Sequence, residues 1–97
     1  MYKLKHHDCV FTEYLGFYEE YTVSDFINGV FESIEEARKV LFQYVESSEV
    51  INQNEPFYHH QYLRYLEIVD TSDEDYIIER WWVTSNIDKT LEKDEKI

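Results

Sequence analysis

Two histidine pairs, His6-His7 and His59-His60, are the residues whose types most invite chemistry, and the first pair runs directly into Asp8 and Cys9. A His-His-Asp-Cys run holds the ligand types that zinc takes. The spacing works against it. Neighbours on a strand point to opposite faces, so only His7 with Cys9, or His6 with Asp8, converge, and the second pair would have to fold against them. Structural zinc announces itself with closely spaced Cys and His pairs, and this chain has one cysteine. No metal and no cofactor are expected, and the histidines read as polar strand and loop residues. The run Asp70-Thr71-Ser72-Asp73-Glu74-Asp75 suggests calcium only superficially. An EF-hand loop needs Gly at its sixth position, where Asp75 stands, and Glu at its twelfth, where Trp81 stands.

Nucleophilic catalysis has no frame either. Cys9 and the scattered Ser and Thr residues sit in no Gly-x-Ser-x-Gly elbow, and Gly16 and Gly29 are too few for a phosphate-cradling loop. Carboxylate pairs such as Glu19-Glu20 are commonplace in an acidic chain and do not by themselves imply acid–base work. The expectation is therefore a protein that is not an enzyme.

Charge is the more informative property. The chain has 21 Asp and Glu against 9 Lys and Arg, a net charge of −12. From His6 to Ala37 there are eight carboxylates and no Lys or Arg; from Val40 to Glu79 there are nine carboxylates and one base, Arg64. Such a field repels nucleic acid and steers the molecule toward basic partners, so direct nucleic-acid binding is not expected. The lone Cys9 suits a reducing compartment, and no apolar run has the length of a signal peptide or a membrane span, so a cytoplasmic location without membrane association is expected.

At 97 residues, 43% of them apolar and 18% aromatic, the chain suits one folded domain. Tyr2–Thr12 reads as a first strand. Residues 13–20 form a hairpin connection or a continued ribbon, with a bend or bulge at Gly16. Tyr21–Phe31 reads as a second strand, which Asn28-Gly29 breaks or folds over. The helix is the clearest element: Ser33-Ile34-Glu35-Glu36 is a capping box, and Ile34, Ala37, Leu41, Tyr44, Val45 and Ser48 form one stripe over Ile34–Ser47. Residues 48–60 read as a loop, with room for a helical turn at Pro56. Tyr62–Val69 is a third strand, with a helical reading of 57–66 as the alternative. After the acidic turn, Tyr76–Thr84 is a fourth strand with bulky residues on both faces. The domain is expected to span 1–86, with 87–97 a charged, frayed tail. Together these give an α+β fold: an antiparallel four-stranded sheet with one amphipathic helix packed on one face, ββαββ.

These elements leave acids interleaved with aromatics on the surface. Nine tyrosines cannot all be interior in so small a domain, and Tyr suits interfaces because it buries area while keeping a polar tip. The candidate partner-binding residues are Glu13, Tyr14, Tyr18, Glu19 and Glu20 in the first hairpin, and Asp70, Asp73, Glu74 and Asp75 in the second.

The stretch Gly29-Val30-Phe31-Glu32-Ser33-Ile34-Glu35-Glu36-Ala37, with Arg38-Lys39-Val40-Leu41 after it, resembles the strand-to-helix junction of small bacterial and phage ββαββ domains. The Tyr-Leu-Glu-Ile-Val-Asp strand at 65–70 is similar to theirs as well. By size, charge and lack of catalytic motif, the chain also resembles phage-encoded inhibitors, including anti-CRISPR proteins and other DNA mimics. That resemblance implies a non-enzymatic inhibitor that docks on the basic surface of a nucleic-acid-binding protein such as a CRISPR effector, its carboxylates replacing phosphates. The rival expectation is an accessory interaction domain whose acidity serves solubility and which self-associates as a homodimer through a sheet edge.

Overall fold

The computed structural model describes residues 1–12, 17–25, 29–48, 60–85 and 88–97, with side chains described over 1–8, 29–48, 64–85 and 88–97. The strands β1 (Tyr2–Thr12) and β2 (Phe17–Asp25) precede a single helix, α1 (Ile34–Ser47), and β3 (His60–Asp70) and β4 (Tyr76–Ser85) follow it. This is the expected ββαββ order, with the helix on one face of an antiparallel sheet. A short fifth strand, β5 (Thr90–Lys93), extends the sheet to the order β2-β1-β3-β4-β5. The tail expected to fray is thus held in part by pairing of Val83 with Leu91 and Trp82 with Glu92, which leaves Leu91 half-buried.

The second strand starts and ends earlier than expected. It runs from Phe17 opposite Thr12 to Asp25 opposite Lys5, while Phe31 makes only an isolated bridge to Tyr2. The predicted bend at Gly16, the turn at Pro56 and the residue Asn28 lie outside the described residues. Gly29 has a φ of +150°, which side-chain-bearing residues avoid, and the chain turns there before entering the helix.

The helix begins where the capping box places it. Ser33 is extended, and its hydroxyl accepts the Glu36 N–H at 3.1 Å, satisfying one of the four amides that a helix start leaves without partners. Glu35 and Glu36 add negative charge at the positive end of the dipole. Ser33→Ala is expected to lower stability by about 1 kcal/mol. An unchanged denaturation midpoint and slope in that variant would show that the cap contributes nothing.

Ala37, Leu41 and Val45 project at helical spacing onto Leu4 of β1, Leu66 and Ile68 of β3 and Val83 of β4, forming the core. Ile34, Val40, Tyr44 and Trp81 close its margins. Cross-strand neighbours share a face, so the pairs Leu4↔Ile68, His6↔Leu66 and Asp8↔Arg64 lie on the helix side of the sheet. Lys5↔Glu67 and His7↔Tyr65 therefore lie on the side away from the helix. A bulge between Ile68 and Val69 shifts the parity of β4 near its start, bringing Ile77 opposite Val69.

Candidate functional site

The adjacent histidines of β1 are buried, one on each face, and each anchors a carboxylate that also holds an arginine. On the helix side, His6 Nε2 lies 2.9 Å from Asp8 Oδ1, and Arg64 Nε donates to the same oxygen at 3.0 Å. A carboxylate only accepts, so Nε2 carries the proton; in the neutral ring Nδ1 then accepts from the Tyr44 hydroxyl at 2.7 Å. This chain ties the helix to β1 and β3. Burial pushes the Asp8 carboxyl up, but the bonds from His6 and Arg64 outweigh it, and the group stays below its ordinary value. Burial also raises the Tyr44 phenol, which keeps its proton.

On the other side, Glu67 is 3% exposed and pairs with His7 through one oxygen. Its other oxygen accepts from Arg80 Nε at 3.1 Å and Nη2 at 2.9 Å. Burial drives this carboxyl up as well, and His7 and Arg80 bring it below its ordinary value. The His7 ring stacks on Tyr65 at 4.4 Å, Tyr65 leans on Trp82 at 4.8 Å, and Arg80 covers Tyr65 at 5.0 Å. Asp94, just beyond β5, receives the Trp82 indole N–H at 3.3 Å and faces Arg80 at 3.5 Å. A third pair joins layers: the Arg38 guanidinium of α1 clasps the buried Glu79 of β4. That contact, first of all causes, holds the Glu79 carboxyl below its ordinary value.

The His6 cluster resembles a catalytic relay in composition but not in presentation. Both nitrogens of His6 face protein groups, whereas a general base must turn one toward a substrate. What the arrangement does is fix the strands and consume cations. All three arginines of the chain, Arg38, Arg64 and Arg80, are turned onto carboxylates. Removing those three pairs from 21 acids and 9 bases leaves 18 acids against 6 lysines. Among the described residues, no three His, Cys, Asp or Glu side chains come together as a metal site. His59 lies outside the described residues, and of the His60 side chain nothing is described.

Of the nine predicted partner-binding residues, the seven that are described fall into two separate groups. Glu13 and Tyr14 lie outside the described residues. Tyr18, Glu19 and Glu20 lie on the edge strand β2, opposite Phe11, Val10 and Cys9. Asp70, Asp73, Glu74 and Asp75 lie at the other end of the sheet, because Asp70 pairs with Tyr2. Seven to nine residue steps along β1 separate Tyr2 from Cys9, Val10 and Phe11, about 23–30 Å at strand rise. Within the second group the roles differ. Asp70 accepts the Ser72 hydroxyl at 2.6 Å and its N–H at 3.0 Å, contacts that lower its pKa and cap the 3-10 turn Thr71–Asp73. Asp75 pairs with Lys5 at 3.1 Å, and Asp73 and Glu74 are exposed.

Sequence reading missed the acids that join this end. Phe31 bridges Tyr2, so Glu32 and the helix start lie at the same end of the sheet as the β3–β4 turn, with β1 between them. Hydrogen bonds from Thr71 N–H to the Met1 carbonyl and between Tyr2 and Phe31 tie this end together. No helix among the described residues is long and apolar enough to cross a membrane. Comparisons with protein-family models, curated proteins and solved structures found no match, so no function is carried over from a relative.

Proposed function

We propose that the chain is a non-enzymatic acidic binding protein that docks on a basic surface of a nucleic-acid-binding protein and competes there with nucleic acid. The observation that supports this most is the pairing of every arginine with a carboxylate of the chain itself. It engages the residue type best suited to neutralising carboxylates, and leaves the exposed acids to act on a partner. Phage-type inhibitors of CRISPR effectors work in this manner, and they define the first partners to try. The rival reading, acidity for solubility with self-association, is favoured by the position of β2: nine residues long and at one edge of the sheet, it is a template for strand pairing.

The two readings separate in one experiment: nucleic-acid displacement from a panel of basic nucleic-acid-binding proteins, CRISPR effectors among them, across a salt series. Docking by many charges is expected to weaken steeply from low to physiological salt. Lysine substitution of Glu13, Glu19 and Glu20 together, or of Asp73, Glu74 and Asp75 together, is expected to abolish displacement in the cluster that binds. Scattered reversals are expected to cost little, since exposed pairs contribute about 0–1 kcal/mol each. Asp70 stays unchanged because its carboxylate caps a turn. If no panel member is displaced, or if both triple variants behave like the parent, the docking reading fails and the solubility reading replaces it.

A further inference from the structure

We infer that the chain takes up its partner by strand addition along Tyr76–Glu79, on the side of β4 that faces away from β3. The segment added is an extended, basic stretch of a partner protein that carries one large apolar side chain. The inference rests on the acidic-docking reading for the sign of the partner's charge and assigns that reading a surface.

β4 is ten residues long, but β5, with four, covers only part of it. The pairs are Trp81↔Lys93, Trp82↔Glu92, Val83↔Leu91 and Ser85↔Thr90, and just beyond them the Asp94 N–H donates to the Arg80 carbonyl at 2.8 Å. Nothing among the described residues pairs with the outer side of the preceding stretch, Tyr76–Glu79. Its inner side is held by Ile68, Val69 and Asp70 of β3, so about 13 Å of strand is kept extended with one row of backbone groups open. An extended segment satisfies such a row by lying alongside it. The bulge that leaves Ile78 without a partner on β3 twists this stretch and keeps the addition short, so a side chain must supply part of the affinity.

A cleft at the same edge receives that side chain. Past β5 the chain turns at Glu95 and Lys96, and Ile97 lines one shallow cleft with Tyr76 and Ile77. Tyr76 is 63% exposed and Ile97 43%, so the apolar lining is open to an occupant. A single exposed apolar residue is ordinary on a protein surface; three that line one cleft beside open backbone make a contact site.

Charge identifies the occupant. Asp75 lines the cleft, Asp73 and Glu74 are exposed immediately before it in the chain, and Glu95 is exposed immediately before Lys96. Against these carboxylates stand Lys96 itself and Lys5, which is already paired with Asp75 at 3.1 Å. A second copy of the same edge would set acid against acid, whereas arginines on either side of an apolar residue meet the carboxylates with opposite charge. Arginine also covers apolar surface with its stem while its head reaches a carboxylate.

The test is a titration of the full, isotope-labelled chain at low salt, followed by its amide resonances. The probe is a short synthetic peptide in which arginines flank one leucine. Two further peptides carry N-methyl groups on alternate amides, one on the odd positions and the other on the even ones. The N–H groups of a strand alternate in direction, and an added strand pairs through one side only. One methylated peptide is therefore expected to bind like the probe and the other at least about tenfold more weakly. Shifts are expected to centre on residues 76–80 and 94–97, and Tyr76→Ser is expected to weaken binding about tenfold, the loss of one apolar anchor. Should Tyr76→Ser lower the melting temperature, the methylated pair still decides, because it leaves the protein unchanged. Equal affinity of the two methylated peptides, shifts centred on residues 17–25, unaltered affinity in a stable Tyr76→Ser, a chain already dimeric through this edge, or no binding at all would each overturn this surface. None of those results touches the acidic-docking reading, which the displacement panel judges on its own.

Discussion

Arg80→Met is expected to lower the stability of the domain by about 3–5 kcal/mol at neutral pH, the cost of taking from a buried charge its cationic partner and leaving it only His7. Glu67 is 3% exposed, and Arg80 gives it two hydrogen bonds, at 3.1 and 2.9 Å. The sign of the pH dependence follows from the shift. In the parent, the Glu67 pKa is lowered by folding, so its contribution is present above the unfolded-state value and is lost as pH falls through the folded one. In the variant, His7 alone is left to oppose burial, so the folded-state pKa lies above that of the parent and the deficit shrinks as the medium is acidified. Urea midpoints for parent and variant should therefore converge at low pH. Pairing Arg80→Met with Glu67→Leu should recover most of the loss, since apolar replacement of both partners of a buried pair is often neutral. A single-variant loss under about 1 kcal/mol, typical of an exposed pair, would mean that the cluster is solvated.

The second large effect is expected from Leu41→Ala, at about 2–5 kcal/mol, with Phe42→Ala beside it costing about 1 kcal/mol. Leu41 is fully buried between the helix and the sheet, whereas Phe42 is 38% exposed and meets only the edge of Trp81 among described ring contacts. Chemical denaturation of the two variants measures which helix face is buried. Equal losses, or a larger one for Phe42, would mean that the helix is rotated from the position described.

The helix was legible because cap and stripe are local: Ser33 and Glu36 are three residues apart, and Ala37, Leu41 and Val45 repeat at the helical period. The first strand, Tyr2–Thr12, was legible in extent for a similar reason. The burial of its histidines was not, because a polar side chain is buried only when its partner arrives from elsewhere. For His6 that partner is Tyr44, and for Asp8 it is Arg64, 56 residues away. One signal was available: Arg64 is the only base between Val40 and Glu79, and a lone cation amid acids is a candidate for an internal pair. The strand β5 was hidden because Thr-Leu-Glu-Lys offers a single apolar residue, and its pairing depends on Val83 across the turn. The gathering of Glu32, Val30, Asp73 and Tyr76 at one end follows from the register of Tyr2 with Phe31 and Asp70, which no local pattern carries.

The central position of β1 bears on how the molecule is made. In the folded sheet it lies between β2 and β3, yet during synthesis β2 follows within a few residues while β3 emerges only after the helix. For that interval one side of β1 offers unpaired backbone groups, the condition in which nascent strands capture one another. A strand of Val and Ile would be hazardous there. This one carries Lys3, Lys5, His6, His7 and Asp8, charged or polar residues that discourage association while it waits. His6 then finds Tyr44, His7 finds Glu67 and Asp8 finds Arg64 within the finished fold, so the residues that keep the young chain apart from its neighbours become the ones that hold the mature domain together.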